Sequence, residues 1–116
     1  MKNKFFILFL SILFFCCKDK KDGQLSGDYL YMLHACHTCH SLDGSDMIGP
    51  SFKDIYGKKV EFEDGTFRIV DDIYLRESIL DPAKNIVKNF PNLMGAYKLL
   101  LNENEVNELV DFIKRQ

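Results

Sequence analysis

Cys36-His37-Thr38-Cys39-His40 decides how this chain of 116 residues is read. Two thiols two residues apart, with an imidazole directly after the second, make the Cys-x-x-Cys-His pattern that attaches haem c. Each thiol adds to a vinyl group and becomes a thioether, and the spacing lets both sulfurs reach one porphyrin. The histidine that follows is then held under the iron, where a neutral ring nitrogen is an axial ligand. The pattern predicts one covalent haem c, with Cys36 and Cys39 as attachment points and His40 on the iron. A zinc site would need two more Cys or His ligands at suitable spacing; only His34 and His37 are near, and both lie too close along the chain. A thioredoxin-like pair wants a preceding strand in a βαβ context, whereas the residues before Cys36 favour helix. His34 and His37 are expected to be exposed or to lie at an edge.

A second axial ligand has to come from the other face of the porphyrin, so enough chain must intervene to cross its edge. Met32 precedes the motif too closely and is expected in the core, while Met47 follows His40 by a short loop that Gly49-Pro50 keeps on the histidine side. Met94 lies far along, in the helix-poor Phe90-Pro91-Asn92-Leu93-Met94-Gly95-Ala96-Tyr97, and is the candidate; a core methionine with the iron open or otherwise ligated is the alternative.

Before the motif, Lys2 and Lys4 precede an almost unbroken apolar run over 5–15. A basic start and an apolar run of this length read as an export signal, too short for the roughly 20 residues of a membrane-spanning helix. Cys16 and Cys17 close the run, which gives residues 1–17 the look of a bacterial lipoprotein signal with Cys16 or Cys17 taking the lipid. Neither cysteine has the ideal predecessors, so both stay open, as does a plain signal peptide. Residues 18–27 are polar and charged, contain Gly23, Ser26 and Gly27, and read as a flexible linker. The chain carries 15 basic and 17 acidic side chains, a net charge of −2; losing the leader removes two lysines and no acid. That balance argues against nucleic acid as a partner.

Beyond the linker one small domain is expected over 28–116, mainly α-helical. Residues 28–35 favour a short helix with Ser26 or Asp28 as cap, and residues 51–56 can form a helical turn or two capped by Ser51. Asp71 or Asp72 caps a helix over 73–80, which must end near Asp81 because Pro82 disfavours helix before it. Asn102, with Glu105 three places on, opens a last helix in which Val106, Leu109, Val110 and Ile113 form an apolar stripe. Between 59 and 70 the sequence reads as a hairpin about a two-residue Asp64-Gly65 turn, placing Val60 opposite Ile69, Phe62 opposite Phe67 and Glu61 opposite Arg68. Few apolar residues fall in 82–101, a deficit that a large apolar cofactor would fill.

Taken together, Cys36 to His40, Gly49-Pro50-Ser51-Phe52, Met94 and the terminal helix resemble a class I cytochrome c. Over 49–60, the hairpin, and 74–82 the chain is similar to the haem c domain appended to subunit II of some bacterial cytochrome oxidases. It departs from that group in lacking membrane helices and copper ligands upstream, and in having Gly95 where a proline usually follows the ligand methionine. The resemblance implies about four short helices and a small hairpin around one haem. It implies that the Pro50 carbonyl accepts the free ring N–H of His40, which fixes the tautomer. It also implies that the first helix crosses the terminal one near Gly27 or Tyr31 and Leu109, and that Tyr56, Tyr74 or Arg76 could reach a haem propionate.

With His40 and Met94 both on the iron no site is left for a substrate. The expectation is a monomeric electron-transfer protein rather than an enzyme, tethered by lipid on the periplasmic side of a bacterial membrane and exchanging single electrons with redox proteins or a membrane respiratory complex. A haem c sensor whose Met94 dissociates, or a cytochrome subunit of a larger dehydrogenase or oxidase complex, are the alternatives.

Overall fold

The computed structural model describes residues 23–116. The expected signal, Cys16, Cys17 and the first part of the expected linker lie outside the described residues. The first helix, α1, spans Gly27–Leu33. Ser26 stands at its N-cap position without a side-chain hydrogen bond to the helix. It stops short of the expected residue 35 because Ala35 takes a left-handed conformation, φ 55°, which a non-glycine side chain tolerates only as a single residue. That reversal feeds directly into a 3-10 turn over Cys36–Thr38.

Helix α2 covers Asp72–Leu80; the Asp71 carboxylate accepts the Tyr74 N–H at 2.7 Å, and the helix yields at Asp81 to a second 3-10 turn over Pro82–Lys84. Helix α3 covers Glu103–Lys114 behind a reciprocal cap: Asn102 Oδ1 accepts from Glu105 N–H at 3.0 Å and Glu105 Oε2 accepts from Asn102 N–H at 2.9 Å. Helices α1 and α3 cross where Gly27 stands; a β-carbon there would collide with the Glu108 carbonyl and Phe112. Leu30 is fully buried and Val106 is 1% exposed at this crossing; such burial stabilises by about 1.5–3 kcal/mol per side chain. Tyr31, Leu109, Val110 and Ile113 extend the core toward Leu75 and Ile79 of α2.

The hairpin forms from β1 (Lys59–Glu61) and β2 (Phe67–Ile69), but its register is one residue away from the expected one. Lys59 faces Ile69, Val60 faces Arg68 and Glu61 faces Phe67. The loop holds three residues, 63–65, rather than two. Phe62 N–H reaches the Thr66 carbonyl at 2.9 Å, and Gly65 (φ 81°) supplies the left-handed position such a loop needs. Asp64 Oδ1 seals it by accepting from the Thr66 N–H and hydroxyl at 2.9 and 2.6 Å. The shift releases Phe62 from the ladder into the core, 7% exposed, where it bridges Val87. It also separates the anticipated Glu61–Arg68 pair: Glu61 takes Lys88 at 2.7 Å and Arg68 takes Glu77 at 2.6 Å.

Residues 51–56 form turns, not the expected helical turn, because Asp54 (φ 52°) and Gly57 (φ 79°) are left-handed. The Ser51 hydroxyl is engaged with the preceding loop, accepting from Gly44 N–H at 3.1 Å and donating to the Ser41 carbonyl at 3.2 Å.

Candidate cofactor cleft

The left-handed Ala35 turns the chain off the end of α1 so that Cys36 and Cys39, both half-buried free thiols, and His40 face one cleft. Burial pushes the Cys36 thiol above its ordinary pKa, keeping it protonated. The His40 imidazole is fixed on every side. Its Nδ1 lies 2.8 Å from the Pro50 carbonyl, so Nδ1 carries the proton and Nε2 is the free nitrogen. Phe52 stacks on the ring at 4.5 Å and 15°. A β-carbon on Gly49 would sit 2.7 Å from Nδ1 and 2.9 Å from Nε2, so only glycine allows the backbone this close. The His40 carbonyl in turn accepts the Tyr31 hydroxyl at 2.6 Å, tying the site to the buried core of α1. Burial lowers the pKa of the imidazole, with the Pro50 carbonyl acting weakly the other way; a neutral ring is the form that binds a metal.

The cleft has a volume of about 310 Å³. Ile79, Leu101, Leu109 and Ile113 line it from the helical core, and residues 90–95, including Met94, line it from the segment that the sequence left without structure. Among the described residues, Met94 is the methionine in this lining. Met32 and Met47 are 55% and 47% exposed and take no part in it, which corrects the expectation that Met32 belongs to the core. It sits on the solvent side of α1, whose buried positions are Gly27, Leu30 and Tyr31.

One part of the lining is polar. Tyr74, Ser78 and Asn85 reach the cleft, and Asn85 is only 9% exposed. Its amide donates to Ser78 Oγ at 3.3 Å and to Glu77 Oε2 at 3.5 Å, and its Oδ1 accepts from Arg68 at 3.4 Å, all long contacts. The Arg68 guanidinium lies over the Tyr74 ring at 5.5 Å. Of the three side chains proposed for a propionate, Tyr74 is therefore at the cleft. Tyr56 instead donates to Asp72 at 2.7 Å, and Arg76 is occupied by Asn107 and Glu103. Sequence reasoning missed Ser78 and Asn85, since nothing local marks a polar residue that faces a cavity.

Neither extra histidine is fully exposed. His34 is half-buried, lines the cleft and meets Tyr97 edge-on at 5.6 Å. His37 is half-buried edge-on against Tyr31 at 6.0 Å, with Nδ1 buried and without a hydrogen-bond partner. The close packing of α1 against the motif, which draws both rings inward, was not visible in the spacing.

Among the described residues, three short helices, a two-stranded hairpin and a histidine-walled apolar cleft define the fold of a class I cytochrome c. The chain is similar in structure to cytochrome cH from Methylobacterium extorquens, with a TM-score of 0.57 and 19% sequence identity over 78% of this chain and 95% of that one. No family model and no curated protein matches it.

Proposed function

We propose that this chain is a mono-haem c-type cytochrome that carries single electrons between redox partners outside the cytoplasm. The observation that carries the reading is the convergence of Cys36, Cys39, His40 and Met94 on one apolar cleft, while Met32 and Met47 stay outside. The residues fit the group: two unpaired thiols, an oriented neutral imidazole, an apolar lining, and a polar patch for carboxylates. When bound, haem supplies an iron that changes oxidation state by one electron.

The chain's own residues do the rest. Cys36 and Cys39 would hold the porphyrin covalently, with His40 offering Nε2 and Met94 its thioether. The Pro50 carbonyl keeps the imidazole in one tautomer and strengthens it as a ligand. Ile79, Leu101, Leu109 and Ile113 exclude water, which with a methionine ligand raises the reduction potential. Tyr74, Ser78 and Asn85, with Arg68 behind them, are the groups suited to the propionates. With His40 and Met94 both placed to hold the iron, the bound group would supply electron transfer and not substrate turnover, through contacts with partners that are small and transient.

The likeness of 49–60 and 74–82 to the oxidase-appended domain supports a respiratory partner. The apolar leader ending in Cys16-Cys17 supports a lipid anchor on the periplasmic side through one of those two cysteines, with residues 18–27 as tether. Among the described residues no helix is long and apolar enough to cross a membrane. The test is the mature protein made in a host that attaches haem c. Its intact mass should exceed the polypeptide by one haem, and the ferric form should show the iron–methionine charge-transfer band, absent in Met94→Ala. A colourless protein of polypeptide mass refutes the proposal. The sparse bonding of residues 91–96 favours a second reading, a sensor that releases Met94. Rapid carbon monoxide binding to the ferrous protein would select it.

A further inference from the structure

We infer that Tyr97 is the positioning residue that keeps Met94 in the cleft, its hydroxyl and backbone clasping the methionine segment to the ends of α1 and α2. The inference rests on Met94 being an iron ligand and adds what determines how long it stays there.

The segment around Met94 has little of its own to hold it. Asn89 bends the chain in a left-handed conformation, φ 71°. From Pro91 to Ala96 the one backbone hydrogen bond among the described residues is internal, Leu93 N–H to the Pro91 carbonyl at 2.9 Å. Leu93 is 72% exposed, and a β-carbon on Gly95 would meet nothing within 4 Å. Met94 therefore takes its place from the two ends of the segment.

Those ends differ. At the far end Lys88 donates to Glu61 through its backbone at 2.9 Å and its ammonium at 2.7 Å. The ammonium contact is a solvent-exposed pair of the kind that contributes little. Tyr97 is only three residues beyond Met94 and joins three elements. Its N–H reaches the Ile79 carbonyl in the last turn of α2 at 3.2 Å, and its own carbonyl accepts from Leu100 and Leu101 at 2.9 and 3.0 Å as the chain turns toward α3. Its hydroxyl crosses to the His34 carbonyl at 3.2 Å and its ring packs edge-on against the His34 ring. Carbonyls at a helix end have no partner within the helix, so the His34 carbonyl is a natural anchor, two residues before the first haem-linking cysteine.

Tyr97→Phe keeps the ring and removes the hydroxyl. In ferric holoprotein mixed with imidazole, the rate at saturating imidazole reports departure of Met94. Loss of one partly buried hydrogen bond should raise that limiting rate about three- to tenfold, with the charge-transfer band retained at rest and with faster hydrogen exchange over 89–101 but not over 36–52. Lys88→Ala should change the rate less than Tyr97→Phe does. An unchanged limiting rate in Tyr97→Phe, or an equal effect of Lys88→Ala, overturns the inference. Should the variant fail to take up haem, hydrogen exchange on the unaltered holoprotein decides: a protected Tyr97 amide beside open amides at 94–96 supports the clasp, and equal protection overturns it. A charge-transfer band that persists in Met94→Ala would instead refute the ligand assignment, a separate failure.

Discussion

The two stretches of chain that bring the proposed ligands, His40 and Met94, to the cleft are built differently. Residues 36–52 form a dense local mesh. Gly49 N–H bonds the Cys39 carbonyl at 2.8 Å, Phe52 N–H bonds the Ser41 carbonyl at 2.9 Å, and the Ser51 hydroxyl bridges two backbone groups of the same loop. His40 is gripped by a carbonyl, an aromatic face and a glycine within that mesh. Residues 91–96 have almost none of this, and their order comes from Lys88 and Tyr97 at the margins. The difference follows the chemistry. An imidazole that is to bind in one tautomer must be oriented beforehand, because the wrong nitrogen would face the metal. A thioether has no tautomer and a flexible side chain, so it tolerates a loosely held backbone. The cleft thus joins a rigid wall to one that can yield.

The sharpest way to break this contrast is Gly49→Val. The added side chain would enter the space of the His40 ring, and overpacking of this kind costs about 1–3 kcal/mol. A loss of about 2 kcal/mol should lower Tm by roughly 10 °C in a domain of this size, and displacement of the imidazole should reduce haem loading as read by absorbance per protein. Met94→Leu on the other wall conserves volume and should cost less than about 1.5 kcal/mol, while abolishing the charge-transfer band and lowering the reduction potential. A Met94→Leu variant less stable than Gly49→Val would mean that the walls are not unequal as described.

How much of this was legible beforehand tracks how local each determinant is. Asn102 with Glu105, and Asp71 before an apolar run, declare helix starts through side chains that bond backbone a turn away, and Pro82 declares an end. These were readable, as was the motif, whose chemistry is contained in five residues. The hairpin was readable but not its register, because Asp64-Gly65 suits a two-residue or a three-residue loop equally, and what selects the latter is the burial of Phe62 against Tyr74 and Val87. Met94 was singled out by elimination along the chain, and the structure places it, alone of the three candidates, at the cleft. Asn85 and Tyr97 were not legible. Their roles depend on partners far away in sequence, Arg68 for one and His34 for the other.

The rigid wall also contains a pH-sensitive tie. The Asp43 carboxylate accepts the Ser45 hydroxyl at 2.6 Å and the Ser45 N–H at 2.9 Å, which lowers its pKa to about 2, the hydroxyl contributing most. These bonds favour the ionised form. Their contribution to the loop is complete above the ordinary aspartate pKa near 3.9 and is lost as pH falls from there through about 2. Proton-exchange rates of the 41–51 amides should rise over that interval in the holoprotein, whereas Asp43→Ala, which removes the acceptor, should show the raised rates at neutral pH and no step on acidification. The amides of 92–96 lack such a tie and should show no step at all.

The finest adjustment is to stiffen the yielding wall. Gly95 does not occupy a left-handed conformation, its surroundings are open, and its N–H makes no hydrogen bond among the described residues. Glycine therefore gives this position no geometry that alanine lacks, and it leaves the unfolded chain with extra freedom to lose. Gly95→Ala should stabilise by about 0.4–1 kcal/mol through the unfolded state, a gain of a few degrees in Tm. The same restriction acts on the state in which the segment has swung away, so the limiting rate of imidazole binding should fall about two- to fivefold. A rise in that rate would show that the looseness next to Met94 serves its ligation, and that the asymmetry between the walls lies in strain and not in missing bonds.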